Sequence, residues 1–407
     1  MDIKALADVV AGGAAIRRRQ KLQPVGGQRD KIFPPTYPGE GRNSGPQHVF
    51  ERRRIPGRDD DVWCVLVDSV QSQANRLEDS LLYAIRSGAV KIPYVTVDFT
   101  AYDLNGLGEI TSLEAPHRVY DAIFRDSLLD NQPFMDSPIG DKLKRGDMTT
   151  LLEISPTALL FGSWHSTGDG GGVGAKFARA LVSEITGVGV PVDEIADPRT
   201  GEIAPRTSGR RTGSRIDPLG VLRKVEVYKG DSGWDVSKQG AGKGAKQVRP
   251  SEINHGNIAP SVSALGVTCD YVEHSFVLSF AALRRLRFGD AAKDIAARTY
   301  LAALGLLALA EQDTLGYALR SRCDLVCEGK SALETVRPDG SSQDVLLDVA
   351  GARDLYTDAF AAAKDAGFNL AEAPLRLKPQ DKLVEIVRQS QKLALEGEGG
   401  EDDTSAS

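Results

Sequence analysis

The residues best suited to chemistry in this 407-residue chain gather in three polar stretches. The first runs Gly162–Thr167 and carries Ser163, His165, Ser166 and Thr167; Gly168, Gly170, Gly171, Gly172 and Gly174 follow, and then Lys176 and Arg179. Hydroxyls, an imidazole and two cations around a glycine run suit an anionic ligand, because glycine lets backbone N–H groups approach closely. An ordinary flexible connection has the same composition. The second stretch, Ser251–Ser261, sets Asn254, His255 and Asn257 about a glycine and is able to clamp a sugar or phosphate. The third follows the apolar run Val62–Val67: Gln71, Gln73, Asn75 and Arg76 fall in the first turns of an expected helix. Amides there can bond sugars or bases, although a merely wetted helix face reads alike.

Catalytic patterns are sparse. Ser163, His165 and Ser166 are near neighbours, whereas triad members normally come from separate elements. His165 and His255 acting together on a ribose 2′-hydroxyl would make an RNA-cleaving enzyme. Gly170–Ala175 satisfies G-x-G-x-x-A, which leaves a nucleotide-cofactor enzyme as another reading, but no phosphate loop ending in G-K-[ST] is present. No HxH, HExxH or CxxC spacing suggests a metal, and Cys64, Cys269, Cys323 and Cys327 read as reduced thiols of a cytosolic protein. The expectation is no catalytic group, no cofactor and no metal.

Charge is uneven in an overall acidic chain of net −6. Arg206–Arg249 holds eleven Lys/Arg against four Asp/Glu, and residues 1–60 hold twelve against seven. Such local excesses suggest a groove for an anionic partner. The basic residues concerned are Arg18, Arg19 and Lys21, with Gln23 beside them, and, further on, Arg206, Arg210, Arg211, Arg215, Lys229, Lys238, Lys243 and Lys246. Trp234 lies among the last group as a possible stacking platform. Met1–Gly13 does not read as a signal peptide, and the longest apolar run, Tyr300–Ala310, is too short to span a membrane.

The elements that must position these residues follow from periodicity. Val62–Val67, Tyr94–Phe99, Tyr271–Phe280 and Arg322–Cys327 read as strands, as do Thr157–Phe161 and Leu219–Tyr228. Helices are expected at Asp2–Ala11, from Asp68 (its cap) through Ile85, and at Glu114–Leu129, Asp290–Gln312, Asp354–Ala366 and Gln380–Leu395. The four-residue spacing of Phe177, Leu181 and Ile185 predicts one more helix, directly after the glycines. Prolines and glycines speak against a long regular element around Arg17–Lys21. The order is consistent with an α+β, ferredoxin-like βαββαβ core, the scaffold of many RNA-binding modules. The expected organisation is a palm of 1–187 and 251–395, a basic insertion at 188–250 resembling a thumb hairpin, and a disordered acidic tail at 396–407.

Taken in order, RRRQKLQPVGG with FPPTYPG, LVDSVQSQANRLE, LLFGSWHSTG and EINHGNIAPS resemble one family: the RAMP-type backbone subunit of type I-G (formerly I-U) CRISPR surveillance complexes, the Cascade assemblies. The likeness runs from about Ala15 to about Pro260. It implies an RRM-like palm with a thumb, and copies stacked head to tail along one CRISPR RNA, whose bases stay available for a target DNA strand. It also implies other Cascade subunits, a separate helicase–nuclease recruited in trans, a cytoplasmic location and no nuclease activity of its own. On that reading Arg18, Arg19, Lys21, Gln23, Gln71, Gln73, Asn75, Arg76, Ser163, His165, Ser166, Thr167, Lys176, Arg179, Asn254, His255 and Asn257 would serve the guide. Arg206 through Lys246 would form the thumb and DNA-facing loop. Such a subunit needs sugar and phosphate contacts and no base code, because pairing reads the sequence.

Overall fold

The computed structural model describes residues 1–38, 46–165, 176–196, 203–207, 211–212, 219–222, 224–255 and 262–396, with backbone alone at 195–196, 203–207, 211–212, 262–263 and 395–396. The chain divides into two compact units, 1–189 with 269–407, and 190–268.

The first unit is built on a nine-stranded sheet. Its strands are β1 (Ala15–Pro24), β2 (Phe50–Arg53), β3 (Val62–Asp68), β4 (Leu181–Val188), β5 (Tyr271–Ser279), β6 (Tyr317–Arg320), β7 (Cys323–Cys327), β8 (Leu333–Val336) and β9 (Ser342–Val345). They run in the order β6-β7-β1-β5-β4-β3-β2, with β8 on β1 and β9 on β8, and every pairing is antiparallel. The central order β7-β1-β5-β4 is that of a βαββαβ ferredoxin-like sheet, so the fold is α+β and compatible with an RRM-like palm. Strands β3 and β2 extend it past β4.

Helices α1 (Ile3–Gly12), α2 (Val70–Arg86), α3 (Ala291–Leu315) and α4 (Val349–Asp365) belong to the same core. Every residue of α3 from Ala297 to Gln312 is buried, as its run of Ala and Leu requires. Gly305 lets α3 close on the sheet: a Cβ there would stand 2.9 Å from the Leu181 side chain. Residues 95–133 and Leu375–Pro379 supply a separate five-stranded sheet.

Several expected elements differ. β1 is a ten-residue central strand through Arg17–Lys21, because its side chains alternate between buried and exposed despite their charge. Thr157–Leu160 is a buried helical turn, not a strand. Phe177, Leu181 and Ile185 lie on strands Lys176–Phe177 and Leu181–Val188, not on a helix. Glu114–Leu129 breaks into the turn Arg118–Tyr120, the helical turn Ala122–Arg125 and the strand Ser127–Leu129, since Asp121 starts a new helix by accepting from the Ile123 N–H. The cap of α2 is Ser69, not Asp68. Among the described residues of Leu219–Tyr228, only the end joins a strand, Val227–Gly230.

The second unit contains the hairpin Val192–Ala196/Ile203–Thr207 and the pair Arg211–Thr212/Val262–Ser263. It also holds a three-stranded sheet in which Val227–Gly230 lies between Gly233–Asp235 and Lys246–Val248.

Candidate nucleic-acid interface

Alternation along β1 decides which of its basic residues can meet a ligand. Arg18 points under the sheet, 4% exposed, and grips both carboxylate oxygens of Asp313. It is a structural residue, not a guide contact. A buried polar chain continues from this pair. Tyr317 donates to Asp313, His274 Nδ1 lies 3.1 Å from the Tyr317 hydroxyl, and Ser183 Oγ lies 2.6 Å from His274 Nε2. Next to Ser183 comes Gln73, which donates to Asp68 at 2.6 Å; Arg76 and Arg320 also bond Asp68. Burial, reinforced by the Arg18 charge, lowers the His274 pKa to about 3 and keeps the ring neutral. Ser183, His274 and Tyr317 are all buried, so this serine–histidine contact lies inside the core. Sequence reasoning missed the chain, although the alternation of YVEHSFVLS turns His274 inward with Val272 and Phe276.

On the outer face of the sheet stand Arg17, Arg19, Lys21 and Gln23. Arg17 pairs with Glu334 at 2.7 Å, Arg19 with Glu273, and Lys21 lies 4.9 Å from the centre of the Tyr271 ring. Arg53 joins Glu184 at 2.8 Å and also Glu51. This face alternates positive and negative charge, so it offers phosphates less than the bare cation count suggests.

Helix α2 separates its amides. Gln71 and Asn75 are exposed, but in the helical layer, across the sheet from Arg19 and Lys21. Gln73 is fully buried, and Arg76 is held by Asp68 and the Leu319 carbonyl. Gln73 is therefore a packing residue and not a guide contact, whereas the Arg76 side chain stays 26% exposed.

The first polar turn is a two-stranded hairpin, Ser163–Trp164 against Lys176–Phe177. Its alternation turns Ser163 and His165 inward. The Ser163 hydroxyl is enclosed, and His165 is 5% exposed with its ring 5.2 Å from that of Tyr120. Neither is open to a ligand, which corrects both assignments. Trp164, which sequence reasoning left off the site, is 58% exposed with Lys176 Nζ 6.0 Å from its ring centre. Arg179 is exposed nearby; partial burial and the Arg118 charge lower its pKa. Ser166, Thr167 and Gly168–Ala175 lie outside the described residues. A strand rather than a helix follows them, so the dinucleotide reading loses its helix N-terminus.

In the second unit, Lys229 is the cross-strand partner of both Trp234 and Lys246, which sets the three side chains in a row on one face of the small sheet. Trp234 is 50% exposed and meets His255 edge-on, ring centres 5.5 Å apart. Lys238 and Lys243 are exposed, as is Asn254, whose φ of 59° closes a left-handed turn. None of these four lysines has an ion-pair partner among the described residues. Asp235 alternates to the other face and accepts from Ser237. Arg206 and Arg211 are described by backbone alone, and Arg210, Arg215 and Asn257 lie outside the described residues.

Among the described residues no group of three or more His, Cys, Asp or Glu could hold a metal ion, and the four cysteines are unpaired. No helix among them is long and apolar enough to cross a membrane. Residues 16–192 match the family model described as CRISPR-associated protein GSU0053. Over that stretch, less than half of its length, the chain is similar to this CRISPR-associated family. No curated protein matches the chain.

Proposed function

We propose that the chain is a non-catalytic, guide-RNA-binding backbone subunit of a type I CRISPR surveillance complex, of subtype I-G. Copies add head to tail along the spacer segment of a CRISPR RNA and leave its bases free for a target DNA strand. Such heterologous contacts generate an open helical filament whose length the RNA limits. Other subunits complete the complex in the cytoplasm, and a separate helicase–nuclease acts in trans.

The observation that carries this reading is the row Trp234–Lys229–Lys246: a half-exposed indole beside two cations that no described carboxylate neutralises. That combination suits an extended strand held by its backbone. The CRISPR-associated family match and the RRM-like strand order support the same reading. Titrating the protein with single-stranded RNA at several salt concentrations tests it. Affinity should fall with salt by about 0.7 log units per log unit of salt for each phosphate contacted. Salt-independent binding, or none, contradicts it.

A ribonuclease acting through His165 and His255 is less well supported, since His165 is enclosed against Tyr120.

A further inference from the structure

Trp164 is exposed on a base built to hold it still. Gly162, at φ 83°, turns the chain so tightly that a Cβ would stand 3.0 Å from the Phe177 carbonyl oxygen. The Gly162 carbonyl accepts from Arg118 Nη1 at 2.9 Å, and Arg118 also grips Glu78 through Nε at 2.8 Å and Nη2 at 2.7 Å. Arg118 is buried and sits at φ 53°, a conformation that a non-glycine residue keeps only when its surroundings enforce it. Beneath the hairpin, His165 packs on Tyr120 and Phe177 is buried. Gly162, His165 and Phe177 are thus anchored on the fold, while the indole itself faces water.

The neighbours identify its ligand. Lys176 is the cross-strand partner of Trp164 and lies over its ring; Arg179 is exposed, and neither has a carboxylate partner among the described residues. A protein partner would have to bring acids to both. A nucleotide brings a flat ring and a phosphate together.

We propose that the Trp164 hairpin is a base-stacking post, with the indole taking the face of one unpaired base and Lys176 and Arg179 taking its phosphates. It rests on the guide-binding reading above and adds a site in the first unit, independent of the Trp234 row.

The test compares wild-type, Trp164→Ala, Trp164→Phe and Lys176→Gln full-length protein by fluorescence anisotropy. The probes are a short unstructured single-stranded RNA and the same strand in a duplex. Trp164→Ala should weaken single-strand binding about 5- to 150-fold, the range for one lost base stack, with an unchanged salt slope. Trp164→Phe should keep most of the affinity, and Lys176→Gln should reduce the slope by about 0.7. Duplex binding, where bases are not free to stack, should not respond to Trp164→Ala. Wild-type binding that Trp164→Ala leaves intact, or an equal loss on both probes, overturns the post while leaving the guide-binding reading standing. A loss of self-association with single-strand affinity retained overturns it in favour of a protein contact. A wild-type protein that binds neither probe overturns both.

Discussion

Arg18, buried, and Asp313, partly exposed, form a two-pronged ion pair between the central strand β1 and the last turns of α3. A guanidinium in that position is spent on the fold. Arg18→Ala leaves the part-buried Asp313 carboxylate without its cation and should cost about 1–3 kcal/mol of stability, read by urea denaturation. Arg19→Ala, one residue on and exposed, should cost no more than about 1 kcal/mol. Equal costs would place the two residues in like surroundings, contrary to the alternation of β1.

Acid should act through His274. Its pKa falls from 6.5 in the unfolded chain to about 3 in the fold, so the unfolded state binds this proton first. The stability that the neutral ring contributes is complete above pH 6.5 and is lost as pH falls toward 3, by about 1.4 kcal/mol per unit. Urea unfolding of the wild type and of His274→Gln across that window should show a shallower acid loss in the variant. Parallel curves would mean that His274 is already protonated in the fold.

The Trp234 row separates stacking from charge. Lys229→Gln with Lys246→Gln should lower the salt slope of single-stranded RNA binding by about 1.4, two phosphate contacts, with little change in melting temperature. Trp234→Ala should weaken binding and leave the slope unchanged. A slope change from the tryptophan, or none from the lysines, goes against the arrangement.

No cleavage of labelled precursor RNA is expected from the purified protein. His165→Ala should instead lower stability by about 1–3 kcal/mol, because it removes a packed ring next to Tyr120. RNA cutting that disappears in this variant would replace the binding reading with a catalytic one.

The outcome for each element explains what the sequence could tell. β3, β5 and α3 were legible because their apolar patterns are continuous or alternate cleanly. β1 was not, because the residues it turns inward include Arg18 and Gln20, polar groups whose partners lie about 300 positions away. The spacing Phe177–Leu181–Ile185 fits a helix and a strand equally, since four is also a multiple of two. The inward residue that marks the strand between the last two is the polar Ser183. At the candidate site the residue types were legible but their direction was not. One step of alternation sends His165 inside and Trp164 out, and only the hairpin pairing fixes that step. The meeting of Trp234 with Lys229, Lys246 and His255 depends on a three-strand register that no local pattern encodes.

Co-expression with a CRISPR array tests the central claim most directly. The purified protein's absorbance ratio at nucleic-acid and protein wavelengths, followed by sizing of the extracted RNA, is the readout. The account predicts bound RNA of discrete, guide-derived length, lost when Lys229 and Lys246 are reversed to glutamate. Protein that purifies free of nucleic acid, or that carries random RNA regardless of those reversals, contradicts it.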